Sequence, residues 1–151
     1  MLRAVSSYGT VRIKRHSERF SFKFWCSKTI ENGENIVKIM VVGGGGREHA
    51  IIKKIKENKN VSEIFALPGN GGIASDATCV NIGAKDIDKI VEFAVENAID
   101  YAVVAPDDPL VLGCVDALNE KGIPCFGPEG KAAIIEGSKV FSKNLMKKYG
   151  I

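Results

Sequence analysis

The stretch IMVVGGGGREHA, Ile39–Ala50, places four consecutive glycines between an apolar run and a charged one. Glycine costs backbone entropy and adds no side-chain packing, so four in a row indicate a loop that needs unusual dihedral angles or close approach of another group. A tight turn that binds nothing is the alternative. The elements around the loop distinguish these two interpretations.

From Ile36 onward, short apolar runs alternate with helical patterns. Strands are predicted at 35–42, 61–68, 80–83, 101–105 and 123–128. Helices are predicted at 47–58, at 86–98 with Asp86 as N-cap, at 109–122 opened by Pro109, and once or twice within 129–150. Such alternation is typical of βαβ units. The sequence therefore predicts an α/β fold: a doubly wound, mostly parallel, Rossmann-like sheet with helices on both faces, a three-layer α/β/α arrangement.

Three predicted loops follow strands of this sheet, at Gly43–Arg47, Pro68–Gly72 and Ala105–Pro109. Right-handed crossovers place the carboxyl ends of parallel strands at one edge, where ligands of such sheets bind. A glycine run that leads into a helix N-terminus can present backbone N–H groups to an anion. This favours a ligand-binding loop over an empty turn, with phosphate as the candidate ligand.

Neither common nucleotide motif is satisfied by the glycine loop. The third glycine of GxGxxG is replaced by Glu48 or His49, depending on the starting glycine, and no acid ends the second strand. A P-loop requires Lys-Ser/Thr where this chain has Arg47-Glu48. A smaller phosphate ester remains, with Arg47 supplying charge and Asp107 or Asp108 accepting hydrogen bonds from sugar hydroxyls. His49 is interpreted as satisfying a neighbouring loop in preference to acid–base catalysis.

Charge is distributed unevenly along the chain. Residues 1–30 carry seven Lys or Arg and one Glu, whereas the remainder carries 14 basic and 17 acidic residues. The globular part is mildly acidic, so no nucleic-acid partner is predicted. No apolar run is long enough to suggest a membrane span. Four cysteines without CxxC spacing and only two histidines argue against structural zinc and favour a reducing compartment.

Residues 1–35 lack periodicity and are predicted to be a disordered basic tail. One explanation is a mis-called translation start, with the native start at Val37 or Met40. The other is an organellar transit peptide, which the Arg and Ser enrichment and the scarcity of acids suit. The expected location is cytoplasmic, or organellar if the tail is a genuine transit peptide.

Four segments together resemble the amino-terminal region of the phosphoribosylamine–glycine ligase (glycinamide ribonucleotide synthetase) family. They are VVGGGGREHA, PGNGG, VVAPDDPLVLG and FGPEGKAAIIEGSKVFSKNLMKKYGI, and the resemblance covers residues 37–151. It implies an ATP-grasp enzyme that uses ATP and Mg²⁺ (or Mn²⁺) to join glycine to 5-phosphoribosylamine in de novo purine synthesis, through a glycyl phosphate.

The resemblance also implies site residues. The substrate-binding set is Gly43, Gly44, Gly45, Gly46, Arg47, Glu48, Asn70, Gly71, Pro106 and Asp107. Lys139 matches a lysine that commonly contacts ATP phosphates in ATP-grasp enzymes, and no catalytic or metal-binding residue is assigned. The sequence departs from the family's GPE motif, because Ala105 replaces its glycine and Asp107 its glutamate.

On this resemblance, residues 36–136 form the substrate-binding pre-ATP-grasp domain and residues 137–151 begin a truncated ATP-grasp domain. The metal carboxylates, most of the adenine pocket and the glycine site are expected beyond Ile151, so the fragment alone is expected to be inactive. Its partners are small molecules, without nucleic acid or membrane, and the full-length protein is expected to be a monomer. The alternatives are a stand-alone sugar-phosphate- or nucleotide-binding module and, less well supported, a dehydrogenase-like domain.

Overall fold

The computed structural model describes residues 36–151. The predicted tail, residues 1–35, lies outside them, and both explanations of it stay predictions. The elements in chain order are β1 Val37–Gly43, α1 Gly46–Lys56, β2 Val61–Pro68, a 3₁₀ turn Ile73–Ser75, β3 Thr78–Cys79, α2 Ile87–Glu96, β4 Tyr101–Val104, α3 Asp107–Val111, α4 Cys114–Glu120, β5 Cys125–Phe126, α5 Gly130–Gly137 and α6 Lys139–Tyr149.

The five strands form one parallel sheet in the order β3-β2-β1-β4-β5. This confirms the predicted doubly wound α/β fold. β1 lies between β2 and β4, so the strand order reverses beside it, and the switch point lies at its carboxyl end. The glycine loop begins at that end of β1.

The sheet separates two apolar cores because successive side chains of a strand point to opposite faces. Met40 and Val42 join one core, and Val41 joins the other. The first core also receives buried side chains from α2, α4 and α5, whereas Ile52 of α1 packs into the second. Helices thus cover both faces, and α1 is anchored beside the loop that precedes it.

The single helix predicted at 109–122 is wrong, because the structure has two helices there. α3 begins at Asp107 with Pro106 as its N-cap, and Pro109 lies within its first turn, where a missing N–H costs nothing. The helix breaks at Gly113, which has a left-handed φ of 80° and is the N-cap of α4.

The strand predicted at 80–83 is also displaced. The observed β3, Thr78–Cys79, pairs with β2, and the N–H of Val80 makes a last bond to Ala66. The chain then leaves the sheet, and Val80 and Ile82 pack against the first core. Apolar residues at 80–83 therefore reflect burial without strand pairing. The stretch 129–150 forms two helices, and within residues 36–151 no helix is long and apolar enough to cross a membrane.

Candidate functional site

The loops after β1, β2 and β4 lie side by side at the carboxyl edge of the sheet, as predicted. Gly43 ends β1 in register with Pro68 of β2, and its carbonyl accepts a hydrogen bond of 3.1 Å from the N–H of Gly69. A Cβ at Gly43 would lie 2.9 Å from Cγ of Pro106 in the third loop. The adjacency of the three strands therefore brings the three loops into contact.

Two glycines of the loop are required for different physical reasons. Gly43 has a φ of +125°, a conformation that L side chains rarely adopt. Gly44 allows close approach, because a Cβ there would lie 2.5 Å from the carbonyl oxygen of Gly69. Part of the glycine run is thus explained by loop-to-loop packing alone.

Glu48 shapes the glycine loop from inside. Its side chain is 3% exposed, and Oε2 accepts a hydrogen bond of 2.7 Å from the N–H of Gly45, the N-cap of α1. A Cβ at Gly45 would lie 2.6 Å from that oxygen, although the extended backbone of Gly45 (φ −93°, ψ −178°) suits any residue. The Glu48 carboxylate therefore caps the N-terminus of α1, and only the backbone N–H of Glu48 is left to contact a ligand there.

Asn70 joins the second loop to the first. Its Nδ2 donates a hydrogen bond of 2.6 Å to the carbonyl oxygen of Gly44. Its Oδ1 accepts hydrogen bonds from the N–H groups of Gly72 (2.7 Å) and Ile73 (2.9 Å), at the start of the 3₁₀ turn. Gly71 beside it is exposed, with open space where a Cβ would be. The side chain of Asn70 is thus committed to the architecture of the loops.

The N-terminus of α1 is the part of this edge suited to an anion. Helix geometry leaves the N–H groups of Gly46, Arg47 and Glu48 without intrahelical acceptors, and the helix dipole adds positive potential. Arg47 is exposed, and a Cβ at Gly46 would meet no protein atom within 4 Å. Backbone donors, a guanidinium and open space therefore occur together here.

Both candidate acids of the third loop are exposed in the first turn of α3, and only Asp108 has an ion-pair partner among the described residues: it pairs with Lys85 at 2.7 Å. Pro106 is half-buried against the glycine loop. Of the two, Asp107 is the carboxylate that stays available for a sugar hydroxyl.

Lys139 lies elsewhere in the chain, exposed at the first position of α6, a helix that packs against α5. Within residues 36–151, no cluster of three or more His, Cys, Asp or Glu side chains could hold a metal ion.

Sequence reasoning missed Gly69, which has a φ of +70° and contacts the glycine loop, and Asp76, which follows the 3₁₀ turn. Asp76 lies 2.9 Å from Nε2 of His49 and 3.1 Å from Nζ of Lys56. Hydrogen bonds from His49 and then Lys56 lower the pKa of Asp76 to about 2. No local pattern signals such a pair, whereas the capping role of Glu48 could have been recognised from its position three residues after the N-cap.

Comparison with known proteins identifies relatives of this chain. Residues 37–136 match the family model described as phosphoribosylglycinamide synthetase, N domain. A phosphoribosylamine–glycine ligase of Caldanaerobacter subterraneus subsp. tengcongensis is 51% identical over 115 residues, which are 76% of this chain and 28% of that protein. The chain thus spans little more than a quarter of the length of this relative.

Solved structures agree. The crystal structure of the phosphoribosylamine–glycine ligase from Thermotoga maritima is 31% identical with a TM-score of 0.53, over 76% of this chain and 25% of that one. The biotin carboxylase domain of the Hydrogenobacter thermophilus 2-oxoglutarate carboxylase has a TM-score of 0.59 at 18% identity, over 78% of this chain and 28% of that one, which shows the shared fold alone. The family model covers most of the chain, and the chain therefore belongs to the phosphoribosylglycinamide synthetase N-domain family.

Proposed function

We propose that this chain is the phosphoribosylamine-binding part of an ATP-dependent ligase that joins glycine to 5-phosphoribosylamine in purine biosynthesis. The observation that carries the proposal is the glycine loop itself: the neighbouring loop holds Gly43 and Gly44, Glu48 of α1 holds Gly45, and Gly46 borders open space at a helix N-terminus. A turn that binds nothing would not require an exposed helix N-terminus next to glycines held in this way. The family membership supplies the substrate class.

In this proposal the phosphate accepts hydrogen bonds from the N–H groups of Gly46, Arg47 and Glu48, and the Arg47 guanidinium adds charge. Gly71 lets the substrate approach the second loop, where the side chain of Asn70 fixes the backbone conformation. Pro106 and Asp107 border the ribose, with the Asp107 carboxylate accepting from a hydroxyl. Gly43, Gly44, Gly45 and the Glu48 carboxylate act by shaping the loop.

ATP belongs to the proposal through Lys139, whose ammonium group could pair with phosphates. Within residues 36–151 no group of three or more His, Cys, Asp or Glu side chains is placed to hold Mg²⁺ (or Mn²⁺), and no step is assigned to the metal. An ATP-grasp domain would supply its ligands. We therefore expect no ligase activity from the 151-residue chain, and ADP release that depends on glycine and phosphoribosylamine would contradict this.

We further propose that the complete enzyme acts on small-molecule substrates, has no nucleic-acid partner and is a monomer. Its proposed location is the cytoplasm, unless residues 1–35 direct the protein to an organelle. The acidic balance outside residues 1–30 supports the absence of a nucleic-acid partner.

The site is tested by titrating the chain with ribose 5-phosphate, a stand-in for phosphoribosylamine, in a calorimeter. Gly46→Ala adds a methyl group that meets no protein atom and tilts toward the helix N-terminus, where the phosphate would lie. We expect at least about tenfold weaker binding, since a charge-assisted hydrogen bond contributes about 1.5–3 kcal/mol.

Gly83→Ala is the matched control, because a Cβ there also meets nothing within 4 Å. Equal affinity of the two variants would refute the phosphate site at α1. Inorganic phosphate binding as tightly as ribose 5-phosphate would favour a general anion site, and a nucleotide binding more tightly would favour the stand-alone binding module.

A further inference from the structure

Outside the residues assigned to the substrate, a cluster of polar and charged side chains joins α1 to the second loop. Oδ2 of Asp76 lies 2.9 Å from Nε2 of His49, and Oδ1 lies 3.1 Å from Nζ of Lys56. The side chains of Asp76 and His49 are 17% and 26% exposed, so this pair is better shielded from water than the surface pairs Lys54–Glu57 and Lys89–Asp86. Shielding strengthens a charged hydrogen bond.

This cluster holds one end of the segment 70–76. The other end of the segment is hydrogen-bonded to the glycine loop. At residue 70, the Asn70 side chain reaches the Gly44 carbonyl and caps the 3₁₀ turn. At residue 76, the carboxylate is attached to α1. Between them a Cβ at Gly72 would lie 3.5 Å from the His49 ring, so the ring also packs beside the segment. Segment 70–76 is therefore clamped at both ends, to the glycine loop at residue 70 and to α1 at residue 76.

The clamp acts on a single peptide group. The Gly44 carbonyl oxygen is held by Asn70 at 2.6 Å, and the N–H of the same peptide, on Gly45, is held by Glu48 at 2.7 Å. A trans peptide is planar, so its C=O and N–H point in opposite directions. Rotation of this peptide would turn the Gly44 carbonyl oxygen toward the Glu48 carboxylate. The loop would then present a hydrogen-bond acceptor where it now presents the N–H of Gly45. Its orientation depends on Asn70 staying in place.

We propose that the His49–Asp76 pair is a positioning device that holds Asn70, and through it the Gly44–Gly45 peptide, in the orientation that phosphate binding requires. The binding part rests on the proposed function. Neither side chain touches the substrate in this scheme, so both are positioning residues.

The direction in which one substitution changes the affinity for phosphate distinguishes positioning from simple electrostatics. Asp76→Asn removes a negative charge and frees His49 and Lys56, with Lys53 also nearby. By Coulomb's law alone, binding of an anion at α1 would become tighter. The positioning scheme requires weaker binding, because the amide no longer attracts His49 and Lys56 and the clamp loosens.

The experiment uses the full chain, ribose 5-phosphate as ligand, and amide hydrogen exchange. For Asp76→Asn we expect about two- to thirtyfold weaker binding, the range for residues that act on a site without touching it. Exchange should accelerate at the N–H groups of Gly45, Gly72 and Ile73, which the clamp protects. His49→Ala should behave likewise, whereas His49→Gln, which keeps a donor, should recover most of the affinity.

Asp86→Asn is the matched control, since it makes the same chemical change in the surface pair with Lys89, 2.7 Å apart. It should leave affinity and these exchange rates unchanged. Unchanged or tighter binding of ribose 5-phosphate by Asp76→Asn would overturn the proposal. This holds even if amide exchange accelerates, because the pair would then stabilise the fold without affecting binding. If the wild-type chain fails to bind ribose 5-phosphate, the proposed function fails separately. Exchange at Gly45 in Asp76→Asn then tests only whether the pair holds the Gly44–Gly45 peptide: acceleration supports this holding without a role in phosphate binding, and an unchanged rate refutes it.

Discussion

Asn70 donates a hydrogen bond of 2.6 Å to the carbonyl oxygen of Gly44, across 26 residues of sequence. This bond joins the loop after β2 to the loop after β1 at the point where the strand order reverses. Asn70 thus has a structural task that is separate from any contact with substrate.

Replacing Asn70 by Asp should uncouple the two loops while keeping the cap of the 3₁₀ turn. Oδ1 can still accept from Gly72 and Ile73, but a second carboxylate oxygen would face the Gly44 carbonyl. We expect a loss of about 1–3 kcal/mol in the free energy of unfolding, the cost of an unpaired, repelled acceptor. Urea denaturation measures it. Asn58→Asp makes the same charge change in an exposed turn, and an equal loss there would show that charge alone is responsible.

In a complete ligase that carries this domain, Gly45→Val should raise the KM for phosphoribosylamine far more than the KM for ATP. The added side chain would displace the Glu48 carboxylate, which lies 2.6 Å from the position of its Cβ. Arg47→Ala should act in the same direction more mildly, because one charge-assisted hydrogen bond contributes about 1.5–3 kcal/mol. Steady-state kinetics with each substrate varied in turn provide the check. Equal rises in both KM values would indicate general misfolding.

The stability of the fold should depend on pH through Asp76. Its pKa is lowered from an ordinary 3.8 to about 2, first by the hydrogen bond from His49 and then by that from Lys56. The stabilisation by this carboxylate is therefore present above about pH 4 and is lost as pH falls through about 2. Unfolding free energies measured between pH 5 and pH 2 should fall less steeply in Asp76→Asn than in the wild type. Parallel curves for the two proteins would argue against the pair.

The cysteines within residues 36–151 should differ in reactivity. Cys79 is exposed, whereas burial raises the pKa of Cys114 to about 11 and the pKa of Cys125 to about 12, with Cys114 adding to the shift of Cys125. The thiolate is the reacting species, so iodoacetamide at pH 8 should label Cys79 well before the other two. Mass spectrometry of the separate peptides would show this, and it keeps Cys26 apart from the comparison. Rapid labelling of Cys114 in the folded chain would contradict its burial.

The local sequence by itself determined the fold class and the adjacency of three loops at one edge of the sheet. The apolar runs of β1, β2 and β4 and the intervening helical patterns were sufficient to predict a parallel sheet, because period and turn residues are local properties. The rule that ligands bind at the carboxyl edge then located the glycine loop correctly beside Pro68 and Pro106. Prediction was wrong at Val80 and at Gly113, where a partly buried apolar residue and a left-handed glycine had been interpreted without their tertiary contacts.

Only the tertiary structure decided which side chains shape the loop and which stay available to a ligand. Glu48 and Asn70 matched a binding motif in sequence, yet their polar atoms are used by Gly45, Gly44 and the 3₁₀ turn. Asp76 matched no motif and proved to be the partner of His49, 27 residues away. Such pairings depend on the order of strands in the sheet and on the direction of each side chain, and both arise from packing of the whole chain around its core.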